Sequence, residues 1–395
     1  MADLDFLVFD ADNHYYEAED AFTRHMDKRM RKRCMEWAEL NGRKRLLVGG
    51  MVNRFIPNPT FDPVARPGCL DQYYRGNNPD GASIKDAFGA LEPIRPEYRD
   101  RDKRLLVLDE QGIEKTLLFP TLGVGMEAAL KEDPEAITTS FRAFNRWLEE
   151  DWGFAYKDRM FATPYFPMVD TDWLVEELGW ALDQGVRVIC VQAAPAHGNR
   201  SPADPVFDPF WSRVNEAGIT VACHGGDAGY NGFAKAWGEG GEGIESFGGS
   251  LLQGLVVGNK APFDYMCALI AQRLFERFPN LRFASIEMGS NWVPYLLQTL
   301  KRSYGMSPSS YAEDPLETFK RHIWVSPFHE EDVPKLKALL GAENLLMGSD
   351  YPHAEGLAVP TDYVHELQGF SATEVRQVMR ENAMALSEPR PASAA

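Results

Sequence analysis

The stretch Phe6-Leu-Val-Phe-Asp-Ala-Asp-Asn-His14 decides how the chain is read. Its apolar opening, Phe6 to Phe9, has the character of a short buried strand. Asp12 and His14 lie two residues apart, so on an extended backbone they point to one face. A carboxylate and an imidazole converging at the end of a strand can hold a metal ion. By itself Asp-x-His also closes ordinary polar turns, so its weight depends on whether other strands end the same way.

They do. From Arg101 a strand–helix rhythm runs to the end of the chain. Strands are expected at 113–121, 160–168, 187–193, 219–224, 281–287, 323–327 and 344–350. Helices are expected at 101–110, 134–151, 173–182, 208–218, 262–278, 292–302, 331–340 and 371–386. With the first strand this makes eight, apolar on both faces as in a helix-covered parallel sheet. The pattern predicts a (β/α)8 TIM barrel, α/β in class. A doubly wound open sheet is the alternative, weakened because no strand runs into a G-x-G-x-x-G turn. Barrel enzymes carry their chemistry at the C-terminal ends of the strands. Here those ends offer Asp12, His14, His224, Glu287 and Asp350, all metal-ligand types.

Outward from these strands, the chain reads as one domain over 1–386. Residues 42–96, rich in Pro, Gly and Asn, read as an insertion after the first strand that covers a site, with an oligomer arm as the alternative. Residues 225–260 form a long glycine-rich loop after the fifth strand. Residues 18–37 read as a helix with a solvated basic face between Arg24 and Arg33. Residues 387–395 read as a disordered tail.

Composition narrows the function. Asp and Glu total 58 against 41 Lys and Arg, a net charge of −17. That excludes nucleic acid and an anionic membrane as the main partner, since both need a basic surface. No run is apolar enough to span a bilayer, and the acidic N-terminus lacks the order of a signal peptide. The five cysteines are scattered without a C-x-x-C pair, which points to reduced thiols and a cytoplasmic protein. A small-molecule substrate and a homodimer are expected.

Five segments carry a family resemblance: FDADNHYYE at 9–17, LDEQGIEKTLLFPTLG at 108–123, DPVFDPFWSRVNEAGITVACHGG at 204–226, FERFPNLRFASIEMGSNWVP at 275–294 and LLMGSDYPHAEG at 345–356. Together they resemble the amidohydrolase-related family of metal-dependent TIM barrels, in the branch of aminocarboxymuconate semialdehyde decarboxylase and its relatives. The family's first-strand H-x-H falls on Asp12-Asn-His14, its strand-five histidine on His224, its strand-eight aspartate on Asp350. Its strand-six histidine, often catalytic in the decarboxylases, falls on Glu287. Two histidines have thus become carboxylates, a variant similar to a branch that contains a di-iron thioester hydrolase of platensimycin-type diterpenoid biosynthesis.

The resemblance implies a metal-dependent hydrolase with Asp12, His14, His224, Glu287 and Asp350 as ligands to one or two divalent ions. Iron or manganese is favoured by the oxygen-rich set, with zinc as the other choice. Asp350 and Glu287 are expected to act in catalysis, with His329 or His353 helping at the oxyanion. Tyr15, Tyr16 and Trp292 are expected to wall in a bulky acyl substrate: a thioester such as an acyl-CoA of natural-product metabolism, an ester or an amide. The alternatives are a metal-dependent non-oxidative decarboxylase and an inactive barrel that serves as a binding protein.

Overall fold

The computed structural model describes residues 4–239 and 250–390. Strand β1 (Val8–Tyr15) pairs in parallel with β5 (Ile113–Pro120), and β5 with β6 (Met160–Ala162). A second parallel sheet runs β7 (Val188–Gln192), β8 (Thr220–His224), β9 (Arg282–Ile286), β10 (Ile323–Val325). Single parallel bridges join the two sheets into a ring. Tyr165 bridges Cys190, Val325 bridges Leu345, and Asn13 bridges Tyr351. Residues 345–351 therefore fill the place of an eighth strand, and the fold is a closed β/α barrel.

The helices follow their sequence signals. The helix Pro134–Asp151 starts at an Asp133 cap whose side chain accepts from the Ala136 amide, with Pro134 in its first turn. Its buried stripe includes Ile137, Phe141, Phe144 and Leu148, and Phe141 stacks on Tyr165 at 4.4 Å. At the bottom of the barrel, Thr220 donates to the Leu386 carbonyl at 2.7 Å and Arg282 to the Ala385 carbonyl at 2.7 Å. The last helix thus seals the end opposite the site. Arg390, in the first part of the tail, donates its amide to Gly218; residues 391–395 lie outside the described residues.

The expected helix at 18–37 is not there. Residues 18–34 run through short turns, and β2 (Met35–Leu40) pairs antiparallel with β3 (Arg43–Val48), which pairs with β4 (Met51–Val52). Asn41 and Gly42, both with positive φ, make the two-residue turn; Asn-Gly is the strongest short hairpin signal. The basic run is held by acidic groups. Arg24 donates to Asp151 at 2.6 Å and Arg33 to Glu135 at 2.6 Å. The rest of the insertion carries two short helices, Asp71–Tyr74 and Ile84–Ala87. The glycine-rich loop carries helices Asn231–Ala236 and Leu251–Val257, while 240–249 lie outside the described residues. No helix among the described residues is long and apolar enough to cross a membrane, and all five cysteines are free thiols.

Candidate metal centre

Five side chains from four barrel strands meet at one mouth. The Nε2 of His14 lies 3.3 Å from Asp12 Oδ1, 3.2 Å from Glu287 Oε2 and 3.2 Å from Asp350 Oδ1. The Nε2 of His224 lies 3.1 Å from Glu287 Oε2 and 3.5 Å from Asp12 Oδ1. Ligands held about 2.1 Å from one ion stand roughly 3.0–3.4 Å from each other, so these separations are those of a coordination shell. Asp12 Oδ1, both nitrogens of His14, His224 Nε2 and Asp350 Oδ1 are buried without a hydrogen-bond partner. Orphaned polar atoms cost about 1–3 kcal/mol each, and the ligand atoms gather here in two overlapping groups: Asp12, His14, His224 and Glu287, and His14, Glu287, Asp350 and His353. The residues present fit a divalent cation.

Local structure aims them. His224 donates Nδ1–H to the Gly225 carbonyl at 2.8 Å, which leaves Nε2 with a free lone pair toward the cluster. Glu287 and Asp350 both sit in the left-handed region, with φ of 50° and 57°. Non-glycine residues there store strain that the surroundings must impose. Gly348 makes room for the shell: a Cβ on it would lie 2.6 Å from Asp12 Cβ.

The electrostatics are those of a cation trap. Burial works against charge on His224, yet Glu287 and Asp12 outweigh it and push its pKa up to about 10. Burial would raise Glu287, but His224 and His14 pull it well below the usual carboxylate range. Burial, reinforced by Glu287, Glu355 and Asp12, holds Asp350 well above that range. Two carboxylates of one site are thus driven in opposite directions.

His353 stacks on His14 with ring centroids 3.9 Å apart, and its Nδ1 lies 2.6 Å from Asp350 Oδ1. Its Nε2 lies 2.9 Å from the Thr121 hydroxyl, which itself donates to the Tyr15 carbonyl. Thr121 has no second hydrogen, so Nε2 is the donor and Nδ1 turns a lone pair toward Asp350. Glu17, buried, accepts from the amides of Leu122 and Gly123 at 2.9 Å, pinning the loop after β5.

Other expected residues lie elsewhere. His329 turns away and meets Asp71 of the insertion at 2.7 Å. Tyr15 packs between Trp147 and Trp152, and Trp292 packs on Phe319 while donating to the Gly289 carbonyl. Both are core positions, not cavity wall: their rings are apolar enough to be buried whole. Tyr16 does line the cavity, stacked on Phe61 at 4.6 Å.

Two cavities open from the cluster and share Glu287, Gly225 and Gly226. One, of about 670 Å³, is walled by the insertion through Phe55, Phe61, Val64, Phe88 and Leu91, with Glu355 at its inner side. The other, of about 690 Å³, is walled by Tyr74, Asn259, Met288, Asn291, Glu330 and Glu331. Sequence reasoning missed the insertion's phenylalanines, which have no periodicity to mark them. It also missed Glu355, whose signal was its place in the loop that follows Asp350.

Comparison with known proteins gives four findings. A family model described as "Amidohydrolase" matches residues 79–386, a span that begins after Asp12 and His14. An amidohydrolase structure from Mycobacterium avium subsp. paratuberculosis K-10 is 41% identical, with a TM-score of 0.92, over 98% of this chain and 100% of that one. The 2-amino-3-carboxymuconate-6-semialdehyde decarboxylase of Dictyostelium discoideum is 27% identical over 125 residues, 30% of this chain and 34% of that protein. The match thus spans about a third of the length of that curated relative. A dihydroxybenzoic acid decarboxylase from Polaromonas sp. JS666, solved with manganese and 2-nitroresorcinol, shares the fold. Its TM-score is 0.58 at 16% identity, over 81% of this chain and 93% of that one.

Proposed function

The chain belongs to the amidohydrolase family, and from that premise we propose that it is a metal-dependent hydrolase of an acyl bond in a bulky small molecule. Asp12, His14, His224 and Glu287 would hold the ion, with Asp350 beside them at His14. A divalent ion there would supply a water acidic enough to ionise near neutral pH and a Lewis acid for an acyl oxygen. The cluster can also be divided into two overlapping groups that share His14 and Glu287. All three close contacts of His14 run through Nε2, which has one lone pair, so His14 serves one ion, and we assign that ion to the group with Asp12, His224 and Glu287. Carboxylate ligands favour a hard ion, manganese(II) or iron(II), over zinc. The manganese named with the Polaromonas enzyme makes it the first metal to try.

The observation that carries this reading is Asp350. Its Oδ1 is buried, lacks a hydrogen-bond partner, and stands between the ligand cluster and the bare Nδ1 of His353. Asp350 takes a proton from the attacking water and His353 Nδ1 shares it. Thr121 holds the imidazole in the tautomer this requires. The proton then returns to the leaving group, general base followed by general acid. His329 is left to its bond with Asp71 and has no part in these steps.

Decarboxylation is the second reading, favoured by the names of the relatives. Against it, Glu287 stands where those decarboxylases often use a histidine. A substrate carboxylate would also face Glu287, Asp350 and Glu355 together. Acyl-CoA is disfavoured on the same ground, because its phosphates would meet acidic walls. Turnover in oxygen-18 water decides between the two reactions: label in a carboxylic acid product is expected. Carbon dioxide release without label would overturn the hydrolase reading in favour of decarboxylation.

A further inference from the structure

We infer that the insertion-walled cavity selects a substrate bearing a cationic nitrogen group, an ammonium or amidinium, and that Glu355 is the residue that binds it. The inference rests on the reading that this cavity receives the substrate.

Glu355 is fixed from both sides. Leu357 donates its amide to the Ser349 carbonyl at 2.8 Å, and Leu70 of the insertion donates to the Ala354 carbonyl at 2.7 Å. Gly356 allows this tight path: a Cβ there would lie 2.6 Å from the carbonyl oxygens of both Ser349 and Asp350. The loop thus has little freedom to take Glu355 elsewhere. The side chain lines the cavity beside Glu287, and its Oε2 is shielded from solvent with no hydrogen-bond partner. A buried carboxylate oxygen without a donor is costly. Among the described residues none donates to Oε2, and Glu355 is not in either group that could hold the ion. What it lacks is a donor, and the cavity is where one can enter.

The walls agree. The insertion-walled cavity carries Glu287 and Glu355 against Lys85, and the adjoining cavity carries Glu330, Glu331 and Asp332 with no Lys or Arg in its described lining. The stacked rings of Tyr16 and Phe61, with Phe55 and Phe88, offer apolar and π faces. Such faces suit an aromatic or aliphatic body and favour a cation beside them. The substrate class is therefore an ester or amide with an apolar body and a basic nitrogen, not a polyanionic thioester.

The test is calorimetric titration of manganese-loaded protein with benzamidine, benzamide and benzoate, which share a ring and differ in charge. Wild-type protein should bind benzamidine about tenfold or more tighter than benzamide. Glu355→Gln and Glu355→Leu should each lose that preference about tenfold while their manganese affinity is unchanged. Benzoate binding more tightly than benzamidine would overturn the inference and point to a carboxylate substrate. So would benzamidine affinity unaltered in both variants. Loss of manganese together with benzamidine would also overturn it, since Glu355 would then support the ligand cluster. Because titration reads no turnover, its outcome is separate from the oxygen-18 result.

Discussion

Two buried polar assemblies share strand β1 and lie within a few residues of each other. In one, Asp10 accepts from the Ser349 amide at 2.9 Å and from Asn13 Nδ2 at 2.9 Å, and Asn13 Oδ1 accepts from Arg104 at 2.5 Å. In the other, Asp12 Oδ1 and Asp350 Oδ1 each face His14 Nε2, and none of the three atoms has a hydrogen-bond partner among the described residues. Asp10 and Asn13 feed the first and Asp12 and His14 the second, with an irregularity of the strand pairing between Asp10 and Asn13. The first is a seam: it ties β1 to residues 345–351, where the barrel closes through single bridges. The second is incomplete as protein alone. A polar core that satisfies itself is structure, and one whose acceptors point at a common centre is a binding site. Changes in the two assemblies should therefore separate stability from chemistry.

The sharpest test is Asp350→Asn. Asparagine keeps the shape but cannot take a proton, so kcat should fall about 10³-fold or more, with the melting temperature within a few degrees of wild type. Turnover near the wild-type level would remove Asp350 from the proton path. His224→Ala comes next. It deletes one ligand, so manganese affinity should fall about 100-fold. Chelation with EDTA should lower the melting temperature of wild type but hardly move that of the variant. If EDTA shifted both equally, the ion would be bound elsewhere.

The same contrast explains what the sequence allowed to be read. Barrel strands are buried on both faces, and their apolar runs end on polar residues, so Asp12, His14, His224, Glu287 and Asp350 stood out at run ends. Position along the strand carried the site. The insertion had no such regularity: Phe55, Phe61 and Phe88 meet the cavity from irregular backbone, where side-chain direction cannot be inferred from spacing. Residues 18–37 failed for a different reason. Charged residues at many spacings mimic a helix face, and the hairpin signal, the Asn41-Gly42 turn, lies just beyond the span read as helix. Tyr15 and Trp292 were expected on the wall as aromatics next to strand ends, and burial against Trp147, Trp152 and Phe319 takes them into the core.

A smaller effect is expected in the seam. Asn13→Ala leaves the Arg104 guanidinium, buried and facing Tyr351 at 5.4 Å, without its side-chain acceptor, and Asp10 without one donor. The cost should be about 2–4 kcal/mol of stability, read by urea denaturation of metal-free protein. Manganese affinity should change less than tenfold. The opposite result, an intact fold with the ion lost, would merge the two assemblies into one.

The smallest effect concerns pH and tests whether the seam is neutral or ionic. Burial pushes the Asp10 carboxyl from its ordinary 3.8 up to about 6, against the pull of its Ser349 and Asn13 donors. A pKa raised by folding means that the native state holds a proton the unfolded chain has released. That contribution to stability is full below about pH 4 and is lost as pH rises through about 6. The shift corresponds to at most about 3 kcal/mol. Many other groups titrate over this range, so the quantity to follow is the stability of wild type minus that of Asp10→Asn, both metal-free, from pH 4 to 7. The difference should decline with rising pH and level off above about 7. A difference that grows with pH would mean that Asp10 is bound as an anion. Its charge would then balance Arg104 through Asn13, and the seam would be an ion pair relayed by an amide.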